Sequence, residues 1–578
     1  MPSLKTDGYD NFLGGMDSSR GPSVLGSNQY YYSVNMVLPK TADGISTRKG
    51  FRRLKINFET KRDKEIFESG NPQSSGYYKD TNYRVVILLS ISGYVFELKE
   101  DSQFIYKARI INKGDQNLSN TQDSYIIRIP FGAIINDGVN ASLYTSNSQT
   151  RRTKRNKREI GAGLAGVYVQ NRLWYIRQNR REIFASTINE PLSLDEAYLD
   201  NIYGIMCPEN DDIITAIGKQ GTSGSDALGG NLAFATLSDF YSANVRGART
   251  QWGITGGQGT GFVDKTIPGL GAVSPYSFEP YNSNIYFRHT SLGLVSLNQG
   301  KYEFVNRDSF TNQTSESGLF FSNDTKELLS RCWTKAYNKS IYTTVSPSIN
   351  ENGFVYWNGL IVKTPDPYYG KVETIKDITE SVFTGIRPWN ITVTNDGGIE
   401  KMFILSYDYD FVNRLYIYDE SLTHDIDKDF NKKKIESQLL TRRFAFNSPL
   451  LPKKEEFASY SLSNIMDDVD VEIKTRTGIG QFKSVFKTSH IVCNQCRNGF
   501  LCCDSVLTER ENVNFPVTKG EFFSLQDLIK ITGSANLRRF VRVSLEQNIS
   551  SNIHKPENCS ISQKMEEPEK IFTYKIST

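Results

Sequence analysis

The stretch GVYVQNRLWYIRQNRREIFASTINEPLSLD, residues 166–195, decides how the rest of the chain is read. Val167 to Tyr175 reads as one strand with Asn171 and Arg172 inside it, and Gln178, Asn179 and Arg180 supply a polar turn. A second strand over 182–186 follows, then a polar exit carrying Asn189, Pro191 and Asp195. Short runs of β-branched and aromatic residues bounded by turn formers mark antiparallel strands. The segment carries that mark twice, and it predicts one blade edge of a β-propeller.

The same grammar recurs along the chain. Residues 83–99 read as two strands around Ser92 and Gly93, and 231–245 as two around Ser238 and Asp239. Hairpins follow at 284–297, at 339–357 and at 401–418. Their starts lie roughly 50 to 85 residues apart, wider than the roughly 40 to 50 of regular propeller repeats, so the repeats have diverged and carry insertions. Strands spaced this way with no helical pattern between them argue for radial repetition of about four to eight sheets.

The fold expected is therefore all-β: an irregular β-propeller over 61–435, an N-terminal arm or platform segment over 1–60, and a C-terminal β-sandwich-like module over 436–578. Residues 419–434 read as a charge-rich linker into that module. Strict alternation at 469–474 and 541–545 marks strands with one wet face. Residues 524–530, SLQDLIK, read as a single helix capped by Ser524. The module and the arm could equally share one platform, since propeller termini return to one face.

Length and composition limit the function classes. At 578 residues and 65.5 kDa the chain exceeds one compact core. Aromatic residues are 12% of the chain, with 31 tyrosines, which suits strands and assembly contacts. A net charge of +4, from 68 Lys and Arg against 64 Asp and Glu, is too balanced for a protein that coats nucleic acid, so any basic surface must be local. No apolar run is long enough to span a membrane, and residues 1–11 lack the pattern of a signal peptide. The expectation is a soluble protein made in a cytoplasm. Seven cysteines are too few for a disulfide framework at this length.

From Asn11 to Leu54 the chain runs through Gly14-Gly15, an aromatic run at 30–32 containing tyrosines, Asn35, and then Gly44, Arg48, Lys49 and Gly50. This order resembles the tail nozzle proteins of short-tailed bacteriophages, also called tail tubular protein B. Asn171-Arg172-Leu173-Trp174, Ile183-Phe184-Ala185-Ser186 and the polar run to Asp195 continue the resemblance. So do Gly259-Thr260-Gly261, Ser274-Pro275 and Ile285-Tyr286-Phe287. It covers about residues 11–300 and is looser beyond, and a ring or muzzle protein of a crAss-like phage tail fits the same pattern.

The resemblance implies a structural virion protein, assembled in the host cytoplasm, that forms a ring of six or twelve copies around the DNA-ejection channel. Neighbouring ring, hub or fibre proteins would be its partners, and DNA would pass without sequence-specific binding.

The sharpest local shift in composition is Arg151-Arg152-Thr153-Lys154-Arg155-Asn156-Lys157-Arg158, within an insertion near 147–160. Like charges repel and stay exposed, so this is a solvated loop unless an acidic neighbouring ring or DNA phosphates meet it. The glycine-rich runs 218–230 and 253–261 lack the Gly-Lys-Ser/Thr end of a phosphate loop and read as connections between blades.

Cys493 and Cys496 have a spacing that suits one tetrahedral zinc, with Cys502, Cys503 or Cys559 to complete it and His490 and His554 nearby. A local disulfide or free thiols fit the same cysteines, and no cofactor is otherwise implied. Asp467, Asp468, Asp470 and Glu472 crowd together, but Asp470 and Glu472 fall on the wet face of a strand, so a glycosidase pair is unsupported. Four histidines, no nucleophile elbow and no Asp-box turns argue against an enzyme. The competing reading is a carbohydrate-binding or glycan-cleaving propeller acting on a host surface.

Overall fold

The computed structural model describes residues 4–38, 44–154, 156–209, 211–220, 232–243, 245, 249, 263–281, 284–298, 301–304, 319–364, 378–447, 449–466, 468–490 and 510–546. Cys493, Cys496, Cys502, Cys503, His554, Cys559, Arg155, Asp467 and most of both glycine-rich runs lie outside them.

Sheets succeed one another around an axis. Six of them are separate, with four to six strands each. Their innermost strands are Pro72–Lys79, Tyr125–Ile129, Gly163–Val169, Ile214–Lys219, Glu279–Tyr281 and Arg387–Asp396. Between the last two sits a further four-strand unit, Thr334–Tyr337 to Ile378–Phe383, which runs on into a nine-stranded sheet. Each innermost strand lies against the next, and Arg387–Asp396 returns against Pro72–Lys79, where the hydroxyls of Ser75 and Thr392 meet. The ring is closed.

Glycine allows the blades to converge there. A Cβ on Gly76 would stand 2.6 Å from the Ile126 side chain, and one on Gly218 would stand 2.4 Å from the Phe278 ring. Both residues lie on innermost strands, so the neighbouring blade fills the space a side chain would need.

The deciding stretch holds three strands, not two. Gly163–Val169 and Arg172–Arg177 pair across Gln170 and Asn171, whose φ values of 53° and 58° make a two-residue hairpin turn inside what the sequence reads as one strand. Glu182–Ala185 and Gly204–Met206 complete that blade.

The chain before residue 60 is woven into the rest. Gly50–Arg53 is the fourth strand of the last blade, antiparallel to Asn413–Asp419, and Lys55–Phe58 adds to the first blade, parallel to Ile105–Ile110. One short segment thus joins the two ends of the ring. Leu4–Tyr9 pairs with Asn536–Glu546 through six registered positions, so the N-terminal arm is a strand of the platform.

That platform is two sheets over one core. Tyr9, Phe12, Tyr30, Leu439, Tyr460 and Phe540 are among its buried residues. This is the β-sandwich-like module, built from both ends of the chain. At its centre Arg542, wholly buried, donates to both oxygens of Asp527 at 2.5 and 2.7 Å and to Glu455. Burial pushes the Glu455 carboxyl up from its ordinary value even so.

Two expectations are corrected here. Residues 524–530 are not a helix: Leu525–Thr532 is a strand held between Glu436–Leu440 and Val469–Thr477, and that double ladder overrides local helical spacing. Residues 419–434 are not a linker, since His424–Ile426 and Lys432–Lys434 pair as the outer strands of the last blade. All three lysines of that last strand are exposed, a charge pattern that discourages pairing with another chain.

A turn chemistry repeats at the hairpins. Asp80, Asn350, Asp408 and Asp427 each accept two backbone N–H groups through one side-chain oxygen, two and four residues ahead. Three residues on, the backbone turns left-handed at Tyr83, Gly353, Phe411 and Phe430, with φ from 57° to 79°. An aromatic residue there costs about 1–2 kcal/mol of backbone strain. Arg387 stacked 4.8 Å from Phe411 and Arg53 stacked 4.5 Å from Phe430 offset part of it.

Candidate functional site

Two places gather polar side chains from distant segments. The first is the seam between arm, propeller and platform. Asn35, at φ 56°, receives Thr384 N–H and Arg48 Nε–H on its side-chain oxygen, at 2.8 and 2.9 Å. It donates from its amide nitrogen to Thr384 Oγ1 and Glu436 O. Arg48, 1% exposed, donates to both oxygens of Asp425 at 2.8 Å each, and also to Lys49 O and Thr384 O.

Two glycines of the sequence pattern fit here by close approach. A Cβ on Gly44 would sit 2.3 Å from Leu537 O, and one on Gly50 would sit 2.0 Å from His424 O. Asn35, Gly44, Arg48, Lys49 and Gly50, which carry the resemblance at the N-terminus, therefore converge on one lock.

The second place is the mouth of the propeller axis. A cavity of about 500 Å³ opens there, lined by residues from every innermost strand. Tyr125, Tyr276 and Trp333 are among them. Ser274 and Pro275 start a single 3-10 turn in which Ser274 Oγ accepts Tyr276 N–H and donates to Cys332 O, and this aims Tyr276 at the axis. Tyr276 stacks on Tyr125 at 5.2 Å and on Trp333 at 4.3 Å, and its hydroxyl donates to Ser124 O at 2.6 Å. Trp389 leans on Trp333 at 6.3 Å. An aromatic cluster of Tyr125, Tyr276 and Trp333 thus forms part of the wall of this cup.

The rim of the cup is polar. Lys335 pairs with Glu279 at 2.6 Å, while Ala336 N–H donates to the other Glu279 oxygen. Glu400 accepts Asn338 N–H. Arg128 lies over the Tyr77 ring and donates to its hydroxyl. Burial pushes the Tyr125 phenol up to about 12 and the Tyr276 phenol well above its ordinary value, so both stay neutral donors.

By its own strands the chain is a β-propeller. No protein-family model matches it, and no curated protein matches it. Solved structures similar to it share few residues with it. BamB from Moraxella catarrhalis is 11% identical, with 67% of this chain and 96% of that one covered and a TM-score of 0.33. A computationally designed protein, Ika8, is 8% identical over 63% of this chain and 99% of its own, with a TM-score of 0.28. The extracellular domain of a hybrid two-component system from B. thetaiotaomicron is 11% identical, covering 68% and 57%, with a TM-score of 0.24.

The basic run is placed in two parts. Arg151 and Arg152 end Gln149–Arg152, the outermost strand of the second blade, rather than lying in a loop. Arg151 pairs with Glu159 at 3.0 Å, and Arg152 donates to Ala141, Gln116 and Asn117 carbonyls. Their long apolar stems let them be half-buried with the charge satisfied. Lys154, Lys157 and Arg158 are exposed, with Arg158 3.3 Å from Asp195.

Among the described residues no three His, Cys, Asp or Glu side chains are placed to hold a metal ion. His490 is buried, with its Nε2 2.8 Å from Tyr460 Oη. Cys207 and Cys332 are free and buried, and burial pushes the Cys332 thiol up to about 11, which leaves it unreactive. No described helix is long and apolar enough to cross a membrane.

Proposed function

We propose that this chain is a structural subunit of a bacteriophage tail, one of six or twelve copies in a ring or nozzle around the DNA-ejection channel. It acts without catalysis, docks neighbouring ring, hub or fibre proteins, and lets DNA pass without reading its sequence. It is assembled in the host cytoplasm and resides in the virion tail.

The observation that carries this reading is the lock. The residues of the N-terminal pattern lie far apart from their partners in sequence, yet they meet where arm, last blade and platform join. That gives a mechanical reason for their order. In this reading the DNA conduit lies between copies, because the cavity on the chain's own axis, about 500 Å³, is sized for a small molecule. Electron microscopy of the purified protein and of tails tests it. Rings of six or twelve copies, present in tails, are expected, and a protein that stays monomeric and is missing from tails sinks the reading.

A second reading, a carbohydrate-binding propeller, is favoured by the cup alone. It binds rather than cleaves in this reading, because Glu279 is held by Lys335 and Glu400 by a backbone N–H, which leaves no free acid pair among the described lining residues.

A further inference from the structure

We infer that the groove between the second and third blades docks an acidic protein segment with an apolar anchor, which Phe131 and Tyr144 receive while the basic run beside them meets its carboxylates. The inference deepens the structural reading above by naming the chemistry of a neighbour, and it takes from that reading only that the neighbour is a protein.

The groove is open and largely apolar. It holds about 650 Å³, and Pro130, Phe131, Tyr144, Tyr168, Pro191 and Leu192 supply its apolar lining together with Ile129. Phe131 is 44% exposed, and Tyr83, 66% exposed, stands edge-on to its ring at 5.8 Å. Aromatic rings left in water side by side mark a contact surface. Asn189 N–H donates to Asn171 O at 2.7 Å and ties one rim of the groove to the turn of the third blade.

Charge names the occupant. Arg151 lies directly across the ladder from Tyr144, with its guanidinium 5.8 Å from the centre of that ring. At the other end of the run Arg158 O accepts the Leu194 N–H at 2.6 Å, and Glu159 bridges to Ser193, which is itself in the lining. The run is thus fastened to the groove at both ends. Between those anchors Lys154 and Lys157 are exposed, and neither forms an ion pair with a described residue. Arg151 is paired with Glu159 and Arg158 with Asp195, and Arg152 spends its donors on carbonyls, so the two lysines are the charge left for a partner.

The same arrangement selects protein over nucleic acid. The lining contains no Lys or Arg, and its one acid is Glu190, so a phosphate backbone finds no partner inside the groove. An apolar side chain does, and carboxylates on either side of it then reach the lysines outside.

The probe is a short labelled peptide in which Glu residues flank a Phe-Pro pair, followed by fluorescence anisotropy on the full chain. It is expected to bind about tenfold more tightly than the same peptide with Lys in place of Glu, and added salt should narrow that difference. Phe131→Asn puts a residue that tolerates the left-handed backbone at φ 58° and should weaken the acidic peptide about tenfold. Lys154→Glu with Lys157→Glu should remove the preference for acid. An unchanged urea midpoint in both variants shows the fold intact. Equal affinity for the two peptides, or affinity that neither variant alters, overturns the inference. So does the absence of binding at millimolar concentration, or tighter binding of a single-stranded oligonucleotide. Rings in electron micrographs without peptide binding sink this site and leave the ring standing, whereas peptide binding by a chain that forms no ring supports the site and sinks the ring.

Discussion

Replacing Arg48 by Met tests whether the lock holds the arm to the propeller. The guanidinium makes five hydrogen bonds of 2.8 to 2.9 Å, two of them to Asp425, and stacks 4.3 Å from the Phe51 ring. Met fills much of the space but supplies no donor. Asp425, 15% exposed on its side chain, would keep only the Phe51 N–H at 2.8 Å, and Thr384 O and Lys49 O would lose their donor. Breaking a buried pair by removing one partner costs about 3–5 kcal/mol, and partial exposure of Asp425 places this case near the lower end.

The double variant Arg48→Met, Asp425→Asn should recover about 1–3 kcal/mol of the summed losses, since the stranded charge is then gone. Arg48→Lys should fall between, because one ammonium cannot reach both carboxylate oxygens and two carbonyls. The assay is the urea midpoint together with hydrogen exchange over residues 32–58, where the arm meets both ends of the ring. A wild-type midpoint and unchanged exchange in Arg48→Met would refute the reasoning, as would strictly additive losses in the double variant.

Three further outcomes follow from other clusters. Arg542→Met should destabilise the platform by about 3–5 kcal/mol, because Glu455 and Asp527 are both fully buried; replacing all three by apolar residues should restore most of it in thermal melts, and failure to do so refutes the charge argument. Asp408→Ala removes the acceptor for Asp410 N–H and Val412 N–H, so a loss of about 2 kcal/mol is expected in chemical denaturation. Asp137, Asp212 and Asp419 each face a burial cost, but hydrogen bonds to their carboxylates outweigh it and hold all three below the usual Asp value. Their contribution is complete above the unfolded value near 3.8 and is lost as pH falls through the lowered folded values. The urea midpoint should therefore drop below about pH 4, and Asp137→Asn should flatten that drop.

The propeller was legible because its middle strands are apolar: the hairpins expected from 83, 231, 284, 339 and 401 each contain paired strands of one blade, and the one from 168 pairs Arg172–Arg177 with Glu182–Ala185. The second blade was not. Its strands, Tyr125–Ile129 to Gln149–Arg152, are five residues or fewer. Its first turn uses Pro130 and Phe131, with φ 58° at the phenylalanine, where a glycine or asparagine would have announced it. The charge run reads as a solvated loop, which masks the strand that Arg151 and Arg152 complete. The lock was half legible, since Asn35, Gly44, Arg48 and Gly50 stand out as a pattern, whereas Asp425 and Thr384 are ordinary residues more than 300 positions away. The cup was not legible, because Tyr125, Tyr276 and Trp333 come from three blades and meet only when the ring closes. A Ser-Pro before an aromatic, as at Ser274, was its one local sign.

The weave of the arm changes what a truncation can report. An arm rich in glycine and serine reads as a strap that orders against a neighbouring subunit, yet Leu4–Tyr9 pairs within its own chain and Tyr9 and Phe12 are almost wholly buried in the platform core. Deleting residues 1–30 would uncover those partners, and Phe444 would lose its edge contact with Tyr9 at 5.7 Å. Loss of assembly after that deletion would follow from a damaged platform and would not identify a contact between copies. Substitutions at exposed places that bear no internal load separate the two causes. Lys154 and Lys157 are exposed on the turn after the second blade, with no ion pair to a described residue. Replacing both by Ser leaves every described ladder intact. A defect in association from that pair, with an unchanged urea midpoint, would therefore belong to the interface.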